Sequence, residues 1–309
     1  MIKELYTCNE KFFCKFCKIQ LIDDADCYNG YHISCLSEFI NMDRFSDLKE
    51  FFSQYNIEDF NKELLCTYSN DQLEKLDTLS IRHKHLTELP SSLCLLQSLV
   101  NLDISWNNLS VLPEWLFNLP NLRFLTISNN RLSLISPSIN KLKLLKSLDL
   151  SYNNLISFPD SLGSLTNLIS LIINSNKMKL IPSVIGFLKS LKRLDISMNE
   201  LIGIPEWIFD LTNLHVLSAS QNQIYSISPS IRKLINLKSL HLDYNNISTL
   251  PETFGSLINL EYLNLNNNGL QNLPESFNNL CHLKHLDLRN NQIFSDDYSI
   301  YTNNEIVLA

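Results

Sequence analysis

Glycine and proline are scarce in this sequence, at 6 and 10 residues of 309. That scarcity excludes collagen-like and low-complexity architectures. Long apolar runs are missing as well. No stretch of about 18 apolar residues occurs, so no membrane-spanning helix is expected. Residues 1–17 carry Lys3, Glu4, Glu10 and Lys11 and have none of the apolar core of a signal peptide. A surplus of positive charge is also absent. Residues 1–75 hold 8 Lys and Arg against 14 Asp and Glu, and residues 76–309 hold 17 against 18. Neither part offers the basic field that phosphate backbones require, so nucleic acid is excluded as the expected partner. The signatures of common catalytic sites are missing too: no Gly-rich phosphate loop, no Gly-x-Ser-x-Gly and no His-Glu-x-x-His. Catalysis is therefore not expected. Eight cysteines without a signal peptide point to reduced thiols or metal ligands in preference to disulfides. The expected location is cytoplasmic or otherwise intracellular.

What the sequence does have is a repeat. Leucine recurs every 23 residues without a slip, from Leu76, Leu99, Leu122 and Leu145 through to Leu283. Each unit reads L-x-x-L-x-L-x-x-N-x-L-x-x-L-P-x-x-L-x-x-L-x-x, as in residues 145–167, LKSLDLSYNNLISFPDSLGSLTN. Nine full units and a truncated tenth follow this pattern between residues 76 and 293. The L-x-L core alternates with period 2, which predicts a short strand with leucines inward and the intervening residues outward. One such strand cannot bury its apolar side alone, whereas stacked copies form a parallel sheet over a continuous core. The L-P-x-x-L-x-x-L return brings further apolar side chains inward, and its proline favours turn backbone over a long helix.

The ninth position holds a column of asparagines from Asn107 and Asn130 to Asn291. An amide there both donates and accepts, and so serves backbone groups of the turn and of the neighbouring repeat. The first unit departs from the pattern with Lys84 at this place, as end repeats often do. A longer period overlies the short one. Residues 113–117 (PEWLF) answer 205–209 (PEWIF), and 135–139 (ISPSI) answer 227–231 (ISPSI). Both offsets are four repeats, consistent with duplication of a four-repeat block.

These units resemble the leucine-rich repeat family, and the resemblance covers residues 76–293. It implies an α/β fold: a right-handed leucine-rich repeat solenoid with a concave parallel β-sheet. The regular 23-residue unit is similar to that of intracellular Ras-interacting leucine-rich repeat scaffolds. That similarity implies a protein partner such as a small GTPase or another signalling protein. Outward positions of the strands would line the concave face. There, Trp106, Phe124, Tyr152, Arg193, Met198, His241, Tyr244 and Tyr262 are the candidate partner-binding residues, because aromatic side chains, Met and Arg are favoured at interface hot spots. The Asp and Ser of L-D-L-S read as the default of the repeat and carry no partner information.

The segment ahead of the repeats differs in character. Cys14 and Cys17 form one C-x2-C pair, and His32 and Cys35 an H-x2-C pair 14 residues later. Two short pairs supply the four tetrahedral N/S ligands of one zinc ion. Asn29-Gly30 suits the turn of a hairpin between them, with a helix over residues 36–42. This segment resembles a single treble-clef zinc knuckle, like half of a LIM domain. Residues 43–75 show apolar spacing of helical type, as in Phe45, Leu48, Phe51, Phe52 and Tyr55. Four parts result: a zinc-binding module (1–42), a helical N-terminal cap (43–75), the repeats (76–293) and a C-terminal cap or tail (294–309). The expected function is a monomeric, noncatalytic scaffold or recognition protein. The alternative is an adaptor of a ubiquitin ligase, with the repeats selecting substrate.

Overall fold

The computed structural model describes residues 27–28, 31–32, 44–59, 63–293 and 305–307. Ten three-residue strands, from Thr78–Ser80 to His285–Asp287, stack in sequence order as one parallel sheet, and Glu305–Val307 adds an eleventh strand beside His285–Asp287. Neighbouring strands pair one repeat apart without a shift, so Leu79 pairs with Leu102 and Leu102 with Leu125. The middle leucine of each strand is buried and its two neighbours face outward, the alternation that a period of 2 demands.

Behind each strand the chain returns through a five-residue 3-10 turn, from Ser91–Leu95 to Glu275–Asn279. In most repeats the proline is the residue before the turn, with extended backbone. In the two ISPSI repeats it sits one place later. There Ser136 and Ser228 take the capping position and accept from the N–H of Ser138 and Ser230, so Pro137 and Pro229 fall at the first position of the turn. A proline has no N–H to satisfy there, which accounts for its shift in sequence.

Two side-chain ladders tie the repeats together. The Nδ2 of Asn176 donates to the carbonyls of Leu150 and Ile173, both at 3.1 Å, and its Oδ1 accepts from the N–H of Leu155 at 2.9 Å. Leu150 and Leu155 belong to the preceding repeat. The same set recurs at Asn107, Asn130, Asn153, Asn199, Asn222 and Asn245. Because each amide reaches backward, the first repeat has no earlier copy to serve. Lys84 there sends its Nζ to the carbonyl of Asn56 instead, at 3.1 Å. At the other end of the repeat Asn121, Asn167, Asn213, Asn236 and Asn259 donate to a carbonyl of the repeat before.

The helix Ser46–Gln54 and the short helix Asn70–Glu74 precede the first strand, with a 3-10 turn Leu65–Thr67 between them. Helical spacing over residues 43–75 thus resolves into two helices and a turn. Phe45, Leu48, Phe52, Ile57, Leu65 and Leu73 are fully buried and continuous with the core of the repeats. They cover the end of the solenoid that would otherwise expose leucine. Ser69 and Gln72 form a reciprocal capping box at the second helix, satisfying two otherwise orphaned donors.

Cys27–Tyr28 and Tyr31–His32 pair antiparallel, with two residues between them. Of the expected zinc ligands only the backbone of His32 belongs to the described residues; Cys14, Cys17 and Cys35 lie outside them, as does the helix expected over 36–42. Cys94, read from sequence as an apolar filler among reduced thiols, is buried and disulfide-bonded.

Replacing Asn176 by Leu keeps the volume and leaves the Leu155 N–H unpaired, at roughly 1–3 kcal/mol, while the Leu150 carbonyl keeps the amide of Asn153. Asn176→Leu is expected to lower the thermal midpoint by about 2 °C or more. An unchanged melting curve would remove the ladder from the account.

Candidate functional site

The exposed face of the sheet carries the sequence-predicted residues in two kinds of backbone. Phe124, Arg193, His241 and Tyr262 sit on strands. Trp106, Tyr152, Met198 and Tyr244 do not. They were expected as outward strand positions, but each lies three residues past its strand's last outward position, in left-handed backbone with φ of 58°, 52°, 52° and 52°. Every eighth position from His83 to Asn290 shares this conformation. It turns the N–H of each residue toward the next repeat. Trp106 donates to the carbonyl of Ser128 at 2.9 Å, Tyr152 to Asn174 at 3.0 Å, Met198 to Ser220 at 2.8 Å and Tyr244 to Asn266 at 2.9 Å. Left-handed backbone disfavours β-branched side chains, and none of the ten residues in the row is β-branched. The backbone thus projects this row beyond the edge of the sheet.

Three groups of side chains result. His83 stacks on Trp106 with ring centroids 5.0 Å apart. The Tyr152 hydroxyl and the Ser175 hydroxyl lie 4.0 Å and 3.2 Å from the Met198 sulfur. Toward the C-terminal end Tyr262 lies between His241, at 4.8 Å, and His285, at 5.7 Å. In the first and third groups the rings pack on one another, so little rotamer freedom remains there to be lost on binding. Trp106, Phe124, Tyr152 and Tyr244 all remain exposed. His83 and His285 were not singled out from sequence. The signal was there: each lies one 23-residue period from an aromatic on the same row, Trp106 and Tyr262.

The aspartates of L-D-L-S have a structural use. Asp103 accepts from the N–H and hydroxyl of Ser105 at 2.9 and 2.6 Å, and Asp149 does the same with Ser151 at 2.9 and 2.7 Å. The carboxylate closes the turn that follows the strand. At the last repeat Arg289 takes the serine's place, and its guanidinium donates to both oxygens of Asp287 at 2.9 and 2.6 Å. That contact holds the Asp287 carboxyl down to about 2. Arg193, itself exposed, lies 3.6 Å from the half-buried Asp195, and solvent on the arginine side screens the pair. Burial lowers the His241 imidazole below its ordinary 6.5, with Asp243 and Asp195 opposing the shift. His241 is therefore neutral near pH 7. The face as a whole offers rings, a neutral imidazole and alternating charge. Among the described residues no group of three or more His, Cys, Asp or Glu side chains is arranged to hold a metal ion.

Family models agree with this architecture. A leucine-rich repeat region model matches residues 113–228, and a leucine rich repeat model matches 74–132 and 227–293. The chain belongs to the leucine-rich repeat proteins. Among solved structures it is similar to a leucine-rich repeat protein of Leptospira interrogans, with 31% identity and a TM-score of 0.70 over 74% of this chain and 60% of that one. It is also similar to the Arabidopsis receptor kinase HAESA, solved in complex with the peptide hormone IDA and the co-receptor SERK1. That match has 30% identity and a TM-score of 0.62 over 80% of this chain and 47% of that one. An internalin of Listeria monocytogenes shares the fold at 22% identity and a TM-score of 0.61, over 84% and 87% of the two chains. No curated protein matches the sequence significantly. The chain thus spans less than two thirds of the leptospiral protein and of HAESA. Leucine-rich repeats generally mediate contacts between proteins.

The left-handed row carries a direct test at Gln221, whose φ is 52°. Gln221→Val is expected to destabilise the fold by about 1–2 kcal/mol, while Gln221→Asn stays close to wild type. Urea melts of the two variants check this, and equal midpoints would contradict it.

Proposed function

We propose that this chain is a noncatalytic recognition or scaffold protein that seats a partner protein across the exposed face of its repeat sheet. The observation that carries the reading is the set of exposed rings, Trp106, Phe124, Tyr152 and Tyr244, mounted on a framework in which each repeat is hydrogen-bonded to the next. Large aromatic side chains on a rigid support bind at low entropic cost. HAESA was solved with a peptide hormone and a co-receptor, and a protein ligand is in keeping with that likeness. A signalling protein such as a small GTPase is the partner class we favour.

One detail of the face speaks for recognition over catalysis. The Ser239 hydroxyl lies 2.9 Å from His241 Nε2, a spacing that a nucleophile and its base would share. The N–H of Ser239 is committed to the carbonyl of His215, and the strand amides around it are in the sheet. Those main-chain donors are thus spent in the sheet and do not receive an oxyanion.

Capture from a host-cell lysate tests the reading. Wild type would run beside Trp106→Asn/Tyr152→Asn/Tyr244→Asn, since asparagine keeps the left-handed backbone. A protein retained by wild type and lost by the folded variant is expected. Equal retention by both moves the binding surface elsewhere.

The zinc knuckle remains part of this proposal, with Cys14, Cys17, His32 and Cys35 as the ligands of one ion and an intracellular location to match. The disulfide at Cys94 is the observation that opposes a reducing compartment. Metal analysis of the full chain is expected to give one zinc, lost in Cys14→Ser/Cys17→Ser. Two zinc ions per chain would favour the ubiquitin-ligase adaptor, and none would remove the knuckle.

A further inference from the structure

Between the ladder asparagine's turn and the buried apolar residue of the L-P return, every repeat has a two-residue link at the surface. In six successive repeats one residue of that link is a large apolar side chain. These are Val111, Leu134, Ile156, Leu180, Ile202 and Tyr225, and each is between 56% and 71% exposed. The links of the flanking repeats are polar: Thr87-Glu88 before the six, Ser248-Thr249 and Gln271-Asn272 after them. A lone exposed apolar residue is ordinary. Six in consecutive repeats, with Val111, Leu134 and Leu180 at the second place of the link and Ile156, Ile202 and Tyr225 at the first, make a bounded band roughly 25 Å long at about 4.8 Å per repeat. Patches of this kind mark interaction sites.

Beside the row runs the residue that follows each ladder asparagine: Asn108, Arg131, Asn154, Lys177, Glu200 and Gln223. The charges Arg131 and Glu200 have no ion-pair partner among the described residues. They stand in the second and fifth of the six repeats, symmetric about the middle of the row.

We propose that this row is the interface of a two-fold homodimer. Antiparallel pairing about an axis between Ile156 and Leu180 sets Ile156 against Leu180 of the partner subunit. The same rotation sets Leu134 against Ile202 of the partner subunit and Val111 against Tyr225 of the partner subunit. It also brings Arg131 opposite Glu200 of the partner subunit, and by symmetry does so twice. Asn154 then faces Lys177 of the partner subunit, an amide oxygen opposite an ammonium. A two-fold contact must be self-complementary in this way. Stable dimers bury about 800 Å² per partner, with an apolar centre and a polar rim. The six side chains supply that centre and the neighbouring row part of the rim. Charge placed symmetrically about the row's middle is what a second copy requires and what an unrelated ligand does not. The exposed sheet face lies outside this row and stays open, so the dimer presents two recognition faces. It departs from the monomer expected from sequence.

Light scattering on the full chain during gel filtration, at micromolar concentration, tests the dimer. The expected mass is twice that of the 35.7 kDa chain. Leu180→Lys, at an exposed link, is expected to give a monomer with an unchanged melting curve. Arg131→Glu sets like charges together and is expected to weaken the dimer at least tenfold, and Arg131→Glu/Glu200→Arg to restore it. A wild-type monomer overturns the proposal and leaves the row to another partner. A dimer that survives Leu180→Lys, or a charge swap as weak as the single variant, overturns it equally.

Discussion

Each ladder asparagine closes backbone groups that no other part of its repeat can reach. Its amide donates to a carbonyl three residues earlier in its own repeat and to one across the repeat boundary, and its oxygen takes an N–H from the earlier repeat. Buried backbone polar groups left open cost more than an average hydrogen bond gains, so one amide per repeat sets how closely successive repeats stack. The parallel register follows, with leucine on leucine at every step. A chain built this way has stability that is roughly a sum over neighbouring repeats. Both ends then need covering: the helices ahead of Thr78 do this at one end, and Glu305–Val307 extends the sheet at the other.

The same turn determines what the exposed face can present. To pass from strand to ladder asparagine, the chain adopts left-handed backbone at the eighth position of every repeat. That conformation costs something for any side chain but glycine. Its N–H nevertheless finds a carbonyl in the next repeat, which offsets the strain. The rings at Trp106, Tyr152 and Tyr244 therefore project from a hydrogen-bonded turn. Their neighbours at the fifth position are occupied differently, as Asp103 and Asp149 spend their oxygens on the turn itself. Recognition and architecture divide the face between adjacent rows.

Much of this was legible from the repeat alone. Period 2 in L-D-L, the asparagine column and the proline return follow from elementary rules, and the strands, ladder and 3-10 turns lie where those rules put them. The structural use of Asp103 and Asp149 agrees with reading L-D-L-S as the default of the unit. Pattern failed where the backbone leaves regular geometry. Alternation counted Trp106 and Tyr152 as strand residues because a period of 2 says nothing of a left-handed turn just beyond the strand. Helical spacing over 43–75 hid the turn at Leu65–Thr67. Stacking of His83 on Trp106 needed side-chain positions. The exposed links at Ile156 and Leu180 fall on x positions of the unit, to which the repeat pattern assigns no role.

Hydrogen exchange along the native chain tests most directly whether the asparagine ladder holds the repeats together. The amides of Leu109, Leu132, Leu155, Met178, Leu201 and Ile224 donate to ladder oxygens. The account predicts that they exchange as slowly as the strand amides, with protection falling stepwise toward both ends of the solenoid. Exchange of these amides at loop rates, while the strands remain protected, would contradict it.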